Sequence, residues 1–85
     1  MQPVEIYSSA LCGFCHAAKR LLAGKGVPFT EISVDGEPGI RAKMTERAGG
    51  RRTVPQIFVG ATHLGGCDEL YALERAGRLD ALLEG

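Results

Sequence analysis

The hydrophobic positions of this chain switch between two spacings, and the switches mark its elements. Val4-Glu5-Ile6-Tyr7 is short, apolar-rich and bounded by Pro3 and Ser8-Ser9, which predicts a strand. From about Gly13 to Lys25, Ala17, Ala18, Leu21 and Leu22 share one helical face, with Gly24 and Gly26 at its end. Phe29 to Val34 follows Pro28 and reads as a second strand, after which Asp35-Gly36 turns the chain. Ile40, Met44 and Ala48 recur on one face, so a second helix is expected from about Pro38 to Ala48, stopping at Gly49-Gly50. Gln56-Ile57-Phe58-Val59 predicts a third strand, and Gly60-Ala61 a tight turn into a short fourth strand, Thr62-His63-Leu64. Gly65-Gly66 breaks that strand. Leu70, Leu73 and Ala76 then mark a third helix, and Leu79, Leu82 and Leu83 a short final one past Gly77.

The order β-α-β-α-β-β-α places the chain in the α/β class. The first βαβ unit should be parallel and the closing hairpin antiparallel, giving a mixed four-stranded sheet flanked by helices on both faces. No linker or repeat interrupts the pattern, so residues 1–85 are expected to form a single domain.

Composition adds limits. An apolar fraction of 45% argues for a folded globule. Lys plus Arg and Asp plus Glu both number 10, so no global charge recruits nucleic acid or an anionic membrane. Nothing in the sequence approaches the ~18 apolar residues of a membrane span, and Met1-Gln2-Pro3-Val4-Glu5 does not resemble a secretory leader. The 3 cysteines are an odd number, unlike a secreted disulfide framework. The expected compartment is the cytoplasm, where thiols stay reduced and a Cys-x-x-Cys pair is more often catalytic than structural.

Cys12-Gly13-Phe14-Cys15 carries the candidate chemistry. It follows the first strand and opens the first helix, at the carboxyl end of the sheet where α/β folds place their sites. Unpaired N–H groups at that helix start favour a thiolate on Cys12, which makes it the expected nucleophile. Cys15, one turn inside, suits a resolving thiol. Two other readings stay open. The cysteines could be small buried apolar residues, or Cys12, Cys15, His16, His63 and Cys67 could hold zinc.

Tyr7-Ser8-Ser9, Cys12-Gly13-Phe14-Cys15, Thr53-Val54-Pro55 and Gly65-Gly66-Cys67-Asp68 resemble, in order, the landmarks of glutaredoxins across nearly the whole chain. The resemblance implies a thioredoxin-like fold and reduction of protein disulfides and glutathione mixed disulfides, with glutathione as co-substrate and no tightly bound cofactor. It also implies a cis Val54–Pro55 bond, with the Val54 backbone turned toward an extended peptide such as glutathione. A proline at a strand start would read the same way without that role. Gly66, Cys67 and Asp68 match the α-carboxylate and α-amine of a γ-glutamyl group, although Asp68 could equally be a helix cap. Phe14 should wall the sulfur. Arg41 and Arg52, with Arg51 beside them, are candidates for the glycyl carboxylate unless they are plain surface charges. Lys19, Arg20 and Lys25 read as solvent-facing helix charges.

The chain departs from the family pattern in three places. Gly13-Phe14 replaces the Pro-Tyr of many dithiol members and resembles the monothiol, cluster-binding branch. A 2Fe-2S cluster ligated by Cys12 and bridging two copies, with glutathione as an added ligand, is therefore the alternative to a monomeric oxidoreductase. A Lys common before the first cysteine is absent, with Ser8, Ser9, Ala10 and Leu11 in its place. Cys67 is the third departure, open to an inert role, a glutathione adduct or an intermolecular link. The absence of any Trp fits a thioredoxin poorly.

Overall fold

A computed structural model describes residues 2–85. Four strands form one mixed sheet: β1 (Val4–Ser8), β2 (Thr30–Ser33), β3 (Gln56–Val59) and β4 (Thr62–Gly65), in the order β2-β1-β3-β4. β1 runs parallel to β2 and antiparallel to β3, and β3 and β4 form the antiparallel hairpin. The helices are α1 (Gly13–Gly24), α2 (Pro38–Arg47), α3 (Cys67–Arg75) and α4 (Leu79–Glu84). This is the expected architecture, with ends shifted by one or two residues. The fourth strand extends to Gly65, which pairs with Ile57 beside a bulge, so the break falls at Gly66.

The period of two along β1 and β3 sorts side chains to opposite faces of the sheet. Val4, Ile6, Ile57 and Val59 point to one face, where Ala18 and Leu22 of α1, Leu70 of α3, and Leu79 and Leu83 of α4 close over them. Tyr7 and Phe58 point to the other and pack with Val34, Met44 and Ala48, while Ile40 adds partial cover. Each face thus has its own apolar cluster, and α2 alone covers the second. Burying one Leu or Ile side chain is worth ~1.5–3 kcal/mol, so the cluster under α1, α3 and α4 dominates the hydrophobic stabilisation.

Some expected positions move. Ala76 is the exposed C-cap of α3 rather than part of its apolar face, and Leu82 points outward, leaving Leu79 and Leu83 as the anchors of α4. Two of the three helix charges are not simply solvated. Lys19 pairs with Glu31 at 2.8 Å, and Lys25 bridges Glu74 at 2.7 Å and Asp80 at 2.8 Å. Lys25 lies at the C-cap of α1, where its two ion pairs tie that helix to α3 and α4. Arg20 is exposed as expected. No described helix is long and apolar enough to cross a membrane.

Candidate active site

β1 ends at Ser8, and three residues of loop separate Ser9 from the start of α1 at Gly13. That loop is fastened from two sides. Asp35 accepts the Ser9 hydroxyl at 2.8 Å and the Ala10 N–H at 3.0 Å, and the Ala10 carbonyl meets His16 Nε2 at 3.0 Å. The Ala10 N–H, followed by the Ser9 hydroxyl, holds the Asp35 carboxyl below its ordinary range.

Cys12 follows as the N-cap of α1, in extended conformation, and its sulfur accepts the Cys15 N–H at 3.1 Å. A cap normally offers an oxygen for this bond; here the sulfur takes that place. The same arrangement sets negative charge on sulfur against the positive end of the helix. Cys15 is fully buried one turn in, whereas Cys12 is half-buried, and the pair is placed as a disulfide with Cα atoms 5.2 Å apart. Leu11 and Phe14, 99% and 67% exposed, flank the outer cysteine.

Cys12 Sγ lies 3.6 Å from the Val54 carbonyl oxygen, across the start of a cleft of 220 Å³. The Val54–Pro55 bond is cis, as expected. Thr53, Val54 and Pro55 form one wall of the cleft, Gly66, Cys67 and Asp68 the other, and Phe14 the end toward α1. Seven of the nine expected glutathione-binding residues therefore meet in one place. Arg41 and Arg52 do not: they line a separate, larger groove of 730 Å³ with Glu37, Pro38 and Thr45, and Arg41 Nη1 donates to the Arg52 carbonyl at 2.6 Å. The cleft's cation is Arg51 instead.

Arg51 pairs with Glu69 at 2.9 Å, and the same Glu69 oxygen accepts the Gly66 N–H at 2.6 Å. This carboxylate links the two walls, and the Gly66 N–H, then Arg51, holds it below its ordinary range. The α3 cap is therefore served by Glu69 and not by Asp68, which stays exposed on the first turn. Glu69 was missed in the sequence, although a glutamate three residues after a helix-opening residue is a recognisable capping signal.

Cys67 contributes backbone to the cleft, but its side chain belongs to the larger apolar cluster. Burial, then the charges of Asp68 and Glu69, pushes its thiol above the ordinary value. That environment suits the inert role and opposes an adduct or intermolecular link at this cysteine. The zinc reading fails on geometry. Among the described residues no group of His, Cys, Asp and Glu side chains converges as a metal site, and His63 is bonded to Gln56 at 2.6 Å. Burial holds His63 below its ordinary value, with the charge of Arg51 acting the same way.

The site so built can hold a thiolate beside a peptide-sized cleft with a second thiol in reach, which is the apparatus of thiol–disulfide exchange. Known proteins agree. The family model for glutaredoxin matches residues 4–64. A glutaredoxin of Pseudomonas aeruginosa is 59% identical, covering 98% of both chains, and glutaredoxin 3 of Escherichia coli K12 is 54% identical over 99% of this chain and all of its own. Among solved structures, a buckwheat glutaredoxin–glutathione complex superposes with a TM-score of 0.89 at 34% identity, covering 98% of this chain and 77% of the other. The chain belongs to the glutaredoxin family of thiol–disulfide oxidoreductases.

Proposed function

We propose that this glutaredoxin uses glutathione as its electron donor to reduce glutathione mixed disulfides and protein disulfides, through Cys12 as nucleophile and Cys15 as resolving thiol. The observation that carries the reading is the Cys12 sulfur itself, capping α1 and facing the Val54 carbonyl at 3.6 Å. A glutathionyl group lying along Thr53–Pro55 presents its sulfur at that point, with its γ-glutamyl end toward Gly66, Cys67 and Asp68 and Phe14 shielding the sulfur. Its glycyl carboxylate lies at the opposite end, toward Arg52, which precedes Thr53 in the chain, and Arg41, whose Nη1 donates to the Arg52 carbonyl.

The Cys12 thiolate attacks the glutathione sulfur of a mixed disulfide. The S–S bond breaks, the target leaves as a thiolate and takes up a proton, and Cys12 carries the glutathionyl group. A glutathione thiolate then attacks that group, forming glutathione disulfide and restoring Cys12. With a protein disulfide, the Cys12 thiolate attacks one target sulfur, the target S–S bond breaks, and the other target sulfur leaves as a thiolate that takes up a proton. Deprotonated Cys15 then attacks Cys12, releasing the second target thiol and leaving the Cys12–Cys15 disulfide, which two glutathiones reduce. The working form under this reading is a one-domain monomer in the cytoplasm, where glutathione is reduced.

The test is a glutathione-coupled assay on a glutathionylated peptide and a protein disulfide. Cys12→Ser should lose both activities. Cys15→Ser should keep the first and lose the second. Turnover retained by Cys12→Ser would overturn the mechanism.

A second reading, iron–sulfur carriage, is favoured by one observation. A Cβ added at Gly13 would meet nothing within 4 Å, and Phe14 beside it is exposed, so the surface over Cys12 is open. Two copies would supply two of the four thiolates a 2Fe-2S cluster takes, and two glutathiones the others. The donor set fits with Cys12 as the only ligand from each chain. Anaerobic purification with absorption spectra and iron counting separates the readings: a colourless, iron-free protein that reduces glutathione disulfides removes the second.

A further inference from the structure

Gln56 opens β3 with a fully buried carboxamide, a polar group that costs free energy to bury unless its atoms are bonded. Its bonds run in one line from the cleft wall to β4. Gln56 Nε2 donates to the Thr53 carbonyl at 3.0 Å and to Thr53 Oγ1 at 3.2 Å. On the other side Gln56 Oε1 meets His63 Nε2 at 2.6 Å. The His63 ring is fixed in turn by stacking on Phe58, with centroids 4.9 Å apart and planes 28° from parallel.

The polarity of this line is determined. A carbonyl can only accept, so the NH₂ of Gln56 must face Thr53 and its oxygen must face His63. A neutral imidazole then has to carry its proton on Nε2. Thr53 itself is exposed on the cleft wall, and the two bonds from Gln56 are the side-chain bonds that reach it among the described residues. We propose that Gln56 is a positioning residue for the peptide-binding segment Thr53–Pro55, held in its working orientation by the Nε2–H tautomer of His63. Gln56 touches no substrate. It holds the Thr53 carbonyl and hydroxyl so that the Val54 backbone is presented to the incoming peptide, and it does so from inside the sheet, where water cannot compete. The inference rests on the reading that a glutathionyl peptide lies along this segment.

The test uses Gln56→Met, which keeps the volume and removes both bonds, and His63→Phe, which keeps the stacking and removes the donor. Steady-state kinetics on a glutathionylated peptide are compared with the rate of Cys12 alkylation by iodoacetamide, a reagent that needs no peptide segment. A net hydrogen bond is worth a factor of about 2–10, so KM should rise ~10-fold in Gln56→Met and ~3-fold in His63→Phe, with kcat and alkylation within about 2-fold of wild type. Nitrogen-15 shifts of the His63 ring in the wild type should report Nε2–H. An unchanged KM in both variants, or an Nδ1–H tautomer, overturns the proposal. If Gln56→Met does not fold, His63→Phe and the tautomer decide it. A wild type that ignores glutathionylated peptide would sink the glutathione reading instead, and the two failures are distinguishable.

Discussion

Two helix starts face the cleft, and they satisfy their free N–H groups in opposite ways. At α1 the capping atom is the Cys12 sulfur, which accepts the Cys15 N–H, and the first turn carries no acid. At α3 the cap position is Gly66, which has no side chain, and Glu69 folds back to accept the Gly66 N–H while holding Arg51. One helix thus spends its favourable end on the atom that reacts. The other stabilises itself with a carboxylate set three residues in, leaving Asp68 exposed at the cleft. The same electrostatics serves chemistry at one start and architecture at the other.

The sharpest way to break this contrast is at Cys12. Serine is a good N-cap, so Cys12→Ser should leave stability within about 0.5 kcal/mol of wild type, whereas Cys12→Ala orphans the Cys15 N–H and should cost ~1 kcal/mol. Both should lower turnover by more than ~10³-fold, because neither side chain supplies a thiolate. Urea denaturation of the reduced proteins beside the coupled assay separates cap from nucleophile. An alanine variant as stable as wild type would show that the sulfur does not cap α1.

At α3 the largest structural effect is expected from Gly65→Ala. Gly65 has φ +115°, and an added Cβ would sit 2.6 Å from Glu69 Oε1 and 2.8 Å from its Cγ. The substitution combines unfavourable backbone geometry with displacement of the capping carboxylate, so a loss of about 2–4 kcal/mol is expected by denaturant midpoint. The Cys12 alkylation rate should barely move, since α1 keeps its own cap. A large change in that rate would mean the two starts are coupled.

Much of this arrangement was legible in the sequence. Short apolar runs bounded by Pro, Ser and Gly placed the strands, because the central ones are buried on both faces, and helical spacing placed the helices, each of which buries one face. The Cys spacing and the Thr-Val-Pro and Gly-Gly landmarks located three of the cleft's walls. What sequence could not show was side-chain reach. Arg51 and Arg52 are adjacent in the chain, yet only Arg51 turns into the cleft, a choice made by its contact with Glu69 across the fold. Lys25 reads as a surface charge until α3 and α4 bring Glu74 and Asp80 to it. Gln56 sits in a strand where alternation says only that its side chain shares a face with Phe58, and its partner His63 comes from another strand.

A smaller effect is expected at Glu69. Glu69→Gln weakens both the cap and the Arg51 contact, at a cost of ~1 kcal/mol at neutral pH once solvent screening of the half-exposed ion pair is allowed for. The carboxyl is held below its ordinary value in the folded chain, by the Gly66 N–H first and Arg51 second. Its contribution is therefore fully present above the unfolded carboxylate value and is lost as pH falls through the folded one. Denaturation series at neutral and strongly acid pH should show the gap between wild type and Glu69→Gln closing at the acid end. A gap that persists there would mean that neither bond depends on the carboxylate charge.

The smallest effect belongs to the loop that delivers Cys12 to its helix. Asp35 holds Ser9 and Ala10 from the opposite side of the first crossover, and its carboxyl is kept below its ordinary range by the Ala10 N–H and then the Ser9 hydroxyl. Asp35→Ala should speed hydrogen exchange at the Ala10 amide several-fold, because that N–H loses its acceptor. The Cys15 amide should stay as protected as in wild type, since its acceptor is the sulfur and not the loop. In the wild type the Ala10 protection should persist at neutral pH and disappear as pH falls through the folded value of Asp35, the direction required of a depressed carboxylate. Exchange that quickens at Ala10 and Cys15 together would show that the loop, and not the helix end, keeps the nucleophile in place.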